Sequence, residues 1–192
     1  MIEKLETFLK SKATLTEQQL ALLPTLFRVK TLRKGEFMWR SGEIAQYGAF
    51  VAQGCLRSYL IDDKGREHIL LFAPEDWWLS DTDSLVNNTP SAYFADAIED
   101  SVVLLADLTA FEQLDAQLPA FGQLYRAGLQ KRTEANNRRI AAALSNTAEE
   151  RYLDFLKTYR TLARRVPQRM LASYLGVTPE TLSRVRKRLA GK

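Results

Sequence analysis

Leu171-Ala172-Ser173-Tyr174-Leu175-Gly176-Val177-Thr178-Pro179-Glu180-Thr181-Leu182-Ser183-Arg184-Val185-Arg186-Lys187 is the stretch from which the architecture is most directly read. Two short helices that cross steeply need apolar locking residues, a small residue at the crossing and a turn residue tolerant of positive φ. Leu171 and Leu175 are the apolar pair, Ala172 is the small residue, and Gly176 is the turn, with Val177 after it. Thr178 is a natural N-cap and Pro179 stands at the first helical position, where its missing N–H costs nothing. Leu182, Val185 and Leu189 then mark the inner stripe of a second helix. The spacing predicts a helix-turn-helix, whose second helix can enter the major groove of DNA. A helical hairpin with a solvated basic face is the plainer alternative.

The outward positions of that second helix are Glu180, Thr181, Ser183, Arg184, Lys187 and Arg188, with Arg186 on a flank. Such side chains accept from cytosine N4, reach guanine O6 and N7, or grip phosphate. The charge distribution agrees. Residues 1–150 hold 16 Lys/Arg against 21 Asp/Glu, whereas residues 151–192 hold 11 Lys/Arg against only Asp154 and Glu180. A basic block of this kind releases counterions on meeting phosphate, so a nucleic-acid partner is expected, with a merely solvated tail or one that touches other acidic surfaces as the alternative.

Upstream, Thr147-Ala148-Glu149-Glu150 fits a capping box and predicts a helix from Ala148, with Tyr152, Leu153, Phe155, Leu156 and Tyr159 on its buried face. A domain boundary is expected between residues 144 and 148. Before it, residues 108–145 read as helical, interrupted by Pro119, Gly122 and Gly128. Leu118, Phe121, Leu124, Tyr125, Leu129, Ile140 and Leu144 line one face, with Lys131, Arg132, Arg138 and Arg139 opposite. That stripe must be buried either on the chain's own β domain or against a second copy across a two-fold axis.

From Val29 to about Leu108 the texture is β, with short runs punctuated by Gly35, Gly42, Gly48, Gly54, Gly65 and Pro74. The clearest hairpin spans Cys55 to Phe72 around Asp62-Asp63-Lys64-Gly65, and further strands are expected near Ala92–Ala97 and Ser101–Leu105. Many short strands at this spacing suggest a small barrel or jelly roll. The first 27 residues read as short helices, the second starting after Thr16. The fold class is α+β.

Composition removes several functions. The chain of 192 residues is 46% hydrophobic and 26% charged, an ordinary globular balance. The longest apolar runs fall far short of a membrane span and Glu3, Lys4 and Glu6 stand where a secretory signal is apolar, so a cytoplasmic protein off the membrane is expected. One cysteine, Cys55, and one histidine, His68, leave zinc, iron–sulfur and haem sites short of ligands; no metal site and no cofactor are expected. His68 reads as a strand residue beside the hairpin and Cys55 as packing. A cupin-type enzyme shares the jelly-roll geometry, but it gathers two or three histidines on a metal, and no Ser-His-Asp set, phosphate loop or HExxH arrangement occurs. No enzyme is expected. A sensor acting through protein or RNA contacts is the remaining alternative.

The segment Leu171–Lys187 resembles the winged helix-turn-helix of Crp/Fnr transcription regulators. Lys34-Gly35-Glu36-Phe37, Ser41-Gly42-Glu43 and Phe50-Val51-Ala52-Gln53-Gly54-Cys55-Leu56-Arg57 are similar to the opening of that family's cyclic-nucleotide-binding-like β-roll. The resemblance implies an N-terminal antiparallel β-roll of jelly-roll type (residues 1–118), a long dimerisation helix (119–145) and a C-terminal winged helix-turn-helix (146–192). It further implies a homodimer on double-stranded DNA with RNA polymerase as a protein partner. Glu180 and Arg184 match base-reading positions; Thr178, Thr181 and Lys187 match backbone-holding ones, and Arg169 matches a phosphate contact. A further base-reading arginine of the family is replaced here by Pro179.

The same resemblance implies where cyclic nucleotide would bind: a Gly-Glu pair opening a short helix and an Arg followed by a small hydroxyl residue. Leu79 and Ser80 stand roughly at the first pair, Ser91 roughly at the arginine, and no Arg or Lys lies between Glu67 and Arg126. Glu75, Asp76, Asp81 and Asp83 make the stretch acidic, which repels an anion. The β-roll is expected to bind an uncharged effector or none. Trp77 and Trp78 are the candidates for lining an apolar effector pocket, although adjacent strand residues point to opposite faces and at least one should be core or subunit interface.

Overall fold

The computed structural model describes residues 1–191; Lys192, the last residue of the expected C-terminal domain, lies outside them. The chain forms two compact units. One comprises residues 1–60 and 71–128, and the other comprises the hairpin segment 61–70 and the chain from Leu129 onward.

In the first unit, α1 (Ile2–Lys10) buries Leu5 and Leu9. α2 (Glu17–Leu26) begins in a full capping box, the Thr16 hydroxyl accepting from the Gln19 N–H and the Gln19 side chain from the Thr16 N–H. Eight strands follow among the described residues: β1 (Arg28–Leu32), β2 (Phe37–Trp39), β3 (Gly48–Gln53), β4 (Leu56–Ile61), β5 (Glu67–Ala73), β6 (Trp78–Leu79), β7 (Phe94–Ala97) and β8 (Ser101–Ala106). They make two four-stranded sheets ordered β1-β8-β3-β6 and β2-β7-β4-β5. The hairpin, the strands near residues 94–106 and the α+β class are as the sequence predicts.

β3 explains why its sequence reads as one continuous apolar run. Alternate residues serve two cores. Ala49 and Val51 pack with Leu56, Leu79, Ala95 and Val103, while Phe50 and Ala52 pack with Leu5, Leu9, Leu23, Leu104 and Leu114. Gly54 ends β3 at φ +89°, and a Cβ there would collide with the Ser101 side chain and come within 2.7 Å of the Asp100 carbonyl, so only glycine fits. Directly opposed on β4 and β7, Arg57 and Asp96 form a buried two-pronged ion pair at 2.7 and 2.9 Å, with the guanidinium 4.0 Å above the Tyr59 ring.

The long helical stretch is broken where its proline requires. α3 (Thr82–Asn87) and α4 (Leu108–Gln117) belong to the β unit, and Leu118, at φ −133° ψ 70°, separates α4 from α5 (Pro119–Ser145). The first turns of α5 answer one of the two burial alternatives: Phe121 is buried, with Leu124 and Tyr125 packed on the same core. Farther along, Ile140 is 57% and Leu144 85% exposed.

In the second unit, α6 (Ala148–Thr158) starts in the predicted capping box, with Thr147 and Glu150 serving each other's backbone. A 3-10 turn (Leu162–Arg164), α7 (Gln168–Leu175) and α8 (Pro179–Ala190) complete it. Tyr152 and Phe155 are buried as expected, but Leu153 is 37% exposed, because at 100° per residue it falls outside the stripe those two rings define. Residues 146–191 contain no strand. The wing that the resemblance implies is therefore not among the described residues, since a 3-10 turn fills the α6–α7 link and α8 runs on to Ala190.

Candidate nucleic-acid interface

The geometry of α7 and α8 follows from a few local contacts. Gly176 closes α7 in the left-handed region at φ 66°, and the Val177 N–H reaches back to the Ala172 carbonyl at 3.0 Å. Ala172 is fully buried, which lets the two helices approach. Arg151 on α6 donates to the Leu175 carbonyl at 2.8 Å, satisfying an acceptor in the last turn of α7. Thr178 caps α8, its hydroxyl accepting from the Thr181 N–H at 3.2 Å, and Gln168 donates to the Pro179 carbonyl at 3.1 Å. Leu182 and Val185 hold the inner face of α8.

These contacts leave Glu180, Arg184 and Lys187 exposed on the outer face, with Thr181 and Ser183 half-buried beside them. Arg184 donates to the Thr181 hydroxyl at 3.3 Å, and among the described residues neither it nor Lys187 has an ion-pair partner. Glu180 is held below the usual carboxylate range, chiefly by its own backbone N–H and next by the Thr178 hydroxyl. It is thus an acceptor at neutral pH, suited to a base-edge amine and not to phosphate. Arg169 is exposed near the start of α7.

Arg188 is not brought onto this face. It lies on the flank of α8 and is ion-paired with Glu149 of α6. Arg186, on the opposite flank, donates to the Tyr152 hydroxyl at 3.2 Å and lies 5.4 Å from that ring. Both arginines fasten α8 to α6, whereas the sequence pattern groups Arg188 with the outward set.

The first half of β5 makes contacts that sequence reasoning missed. Ser173 on α7 donates to the Glu67 carbonyl at 2.8 Å and accepts from the Ile69 N–H at 3.0 Å. Arg139 on α5 donates to the Leu70 carbonyl at 2.8 Å while its guanidinium lies 4.7 Å over the Tyr174 ring. The hairpin itself is folded around Asp62, which bonds His68 at 2.9 Å and Arg66 at 2.8 Å, His68 first and Arg66 second in holding its carboxyl far below the usual range. His68 thus has a strand-and-turn role, and Cys55 is fully buried.

Residues 29–117 match the cyclic nucleotide-binding domain family. The chain is 28% identical over 193 residues to the anaerobic regulatory protein of Pasteurella multocida, an alignment covering 92% of this chain and 68% of that one. It is 26% identical to the fumarate and nitrate reduction regulatory protein of Vibrio cholerae, over 90% of this chain and 73% of the relative. The structure of FixK2 from Bradyrhizobium japonicum shares its fold, with a TM-score of 0.72, 24% identity, and 86% and 85% of the two chains covered. Over nine-tenths of its length the chain is thus similar to anaerobic and fumarate–nitrate regulatory proteins, and residues 29–117 form a cyclic nucleotide-binding-type domain.

Around residues 79–91, where the resemblance implies the cyclic-nucleotide contacts, several polar groups bond one another. Asp81 caps α3, its Oδ1 accepting from the Ser84 N–H at 3.3 Å and its Oδ2 from the Ser91 hydroxyl at 2.6 Å. A carboxylate therefore sits at the start of the short helix. Ser80 shares a hydrogen bond of 3.3 Å with the Tyr125 hydroxyl. Trp78 has the core role: its ring packs 5.2–6.0 Å from Phe27, Phe50, Phe111, Phe121 and Tyr125. Trp77 is half-buried at the edge of the other core. No helix among the described residues is long and apolar enough to cross a membrane.

Proposed function

We propose that this chain is a Crp/Fnr-type regulator that binds double-stranded DNA as a homodimer, placing α8 of each copy in successive major grooves, and acts by binding and not by catalysis. The observation that carries the reading is the outer face of α8, where Glu180, Arg184 and Lys187 stand exposed on a helix whose other sides are fastened to α6 and α7. Arg184 reads guanine, Glu180 accepts from cytosine N4, and Thr178, Thr181, Lys187 and Arg169 hold phosphates. The exposed Ile140 and Leu144 on α5 supply the second burial alternative, a self-complementary seam with the partner copy. Half-sites are then about 34 Å apart, one helical turn.

The β-roll of this regulator does not respond to cyclic AMP. Asp81 already supplies the negative charge that the α3 end favours, and no Arg or Lys between Glu67 and Arg126 is available to neutralise a ligand phosphate. RNA polymerase is the natural protein partner of such a regulator.

Selection of bound sequences from a random duplex library, without added ligand and at two salt concentrations, tests the reading. An enriched palindrome with the half-site spacing above is the expected result. Salt-insensitive or absent duplex binding would replace it with a sensor acting through protein contacts.

A further inference from the structure

Within the C-terminal unit, α5, α6 and α7 line an open cleft of about 350 Å³. One wall is aromatic. The rings of Phe155 and Tyr159 lie 4.9 Å apart, and Tyr174 meets them edge-on at 5.6 and 6.3 Å. Burial, with the neighbouring Tyr174, pushes the Tyr159 hydroxyl far above the usual tyrosine range, so it stays a neutral donor.

The remaining walls are cationic. Arg138, Arg139, Arg151 and Lys157 line the cleft against a single carboxylate, Asp154, which pairs with Lys157 at 3.6 Å. Arg138 is exposed and has no ion-pair partner among the described residues. Arg151 is committed through Nη1 to the Leu175 carbonyl, but its Nε is buried with no hydrogen-bond partner. A buried, unanswered guanidinium donor is costly unless an acceptor arrives. Excess positive charge beside ring faces favours a ligand that is both anionic and flat.

We propose that this cleft binds a small aromatic acid, a planar ring carrying one carboxylate or phosphate, with the ring on the Phe155–Tyr174 wall and the anion between Arg138, Lys157 and the Arg151 Nε. Its lining residues all belong to the second unit, and it lies beside the Arg139–Tyr174 stack and the Arg151 bond that closes α7. As an effector site it rests on the DNA-binding reading; as a binding site it does not.

Calorimetric titration of the full chain with 1-naphthoate and with 1-naphthyl phosphate tests it, and the tighter of the two identifies the anion. One saturable site per chain is expected, weakened about tenfold in the Arg138→Gln/Lys157→Gln double variant, whose two positions are exposed. Tyr174→Leu should weaken both probes as well, with circular dichroism confirming that each variant is folded. The proposal is overturned by no saturable binding, by affinity unchanged in the double variant, by equal binding of neutral 1-naphthalenemethanol, or by equally effective displacement with inorganic phosphate. DNA titrations of the same proteins separate the two readings. Probe binding without any duplex binding would refute the regulator reading and leave the cleft standing.

Discussion

Of the helix starts that carry an acidic residue, those of α3 and α8 are finished in opposite ways. At α3, both Asp81 oxygens are answered by the chain, one by the Ser84 N–H and one by the Ser91 hydroxyl. At α8, Thr178 makes the cap, and Glu180, its carboxylate held by its own N–H and the Thr178 hydroxyl, still faces solvent, with Arg184 and Lys187 one and two turns along. The resemblance implies a ligand phosphate at the first end and DNA at the second. A polar group already satisfied within the fold gains little from a partner, whereas an exposed, preorganised set of donors gains a great deal. On the proposed reading, then, the β-roll takes no anion and the helix-turn-helix meets phosphate.

The largest break in that contrast should come from the proposed α5 seam, which would present two α8 ends together. Ile140→Asp with Leu144→Asp should give a monomer by light scattering and lower duplex affinity about 100-fold or more by fluorescence anisotropy, because the second half-site is no longer tethered. Arg184→Ala should come next, costing about 1 to 3 kcal/mol of binding and relaxing the preference at one base pair in a repeat selection. Asp81→Ala probes the closed end. It should lower stability in urea by about 1 kcal/mol, the value of a lost N-cap, without creating cyclic AMP binding in calorimetry, since a phosphate would still lack a cation. Lys187→Ala should be milder, weakening all sequences alike and reducing the slope of log affinity against log salt by about 1.

The smallest effect is on pH dependence. Tyr159 keeps its proton in the folded protein well above the pH, about 10, at which an unfolded tyrosine loses it. Its contribution is therefore complete below that pH and declines as pH rises above it. Tyr159→Phe should flatten the decline of the C-terminal unit's thermal midpoint on going alkaline.

What was legible in the sequence depended on how local the cause was. The start of α6 at Ala148, the Gly176 turn and the Thr178 cap are set by residues within three or four positions of each other, and all three are found where the pattern places them. The break at Leu118 follows from the next residue, Pro119. Arg188 is different: its helical position makes it a flank residue, and only the tertiary placement of Glu149 gives its exposed guanidinium an ion-pair partner. Ser173 was illegible for a stronger reason, because its partners are backbone atoms of Glu67 and Ile69, which leave no side-chain signature in a sequence. The acidity around Asp81 could be read, but not its two bonds, one of which reaches ten residues along to Ser91. Trp78 could be core or pocket on spacing alone, and five surrounding rings decide for core.

The most direct test of the contrast between the closed and open ends is a titration of the library-selected duplex by the unliganded protein, repeated with saturating cyclic AMP. The account predicts specific, salt-sensitive binding by a dimer with the same half-saturation in both arms. Binding that appears only with cyclic AMP, or that tightens about tenfold with it, would contradict the closed β-roll.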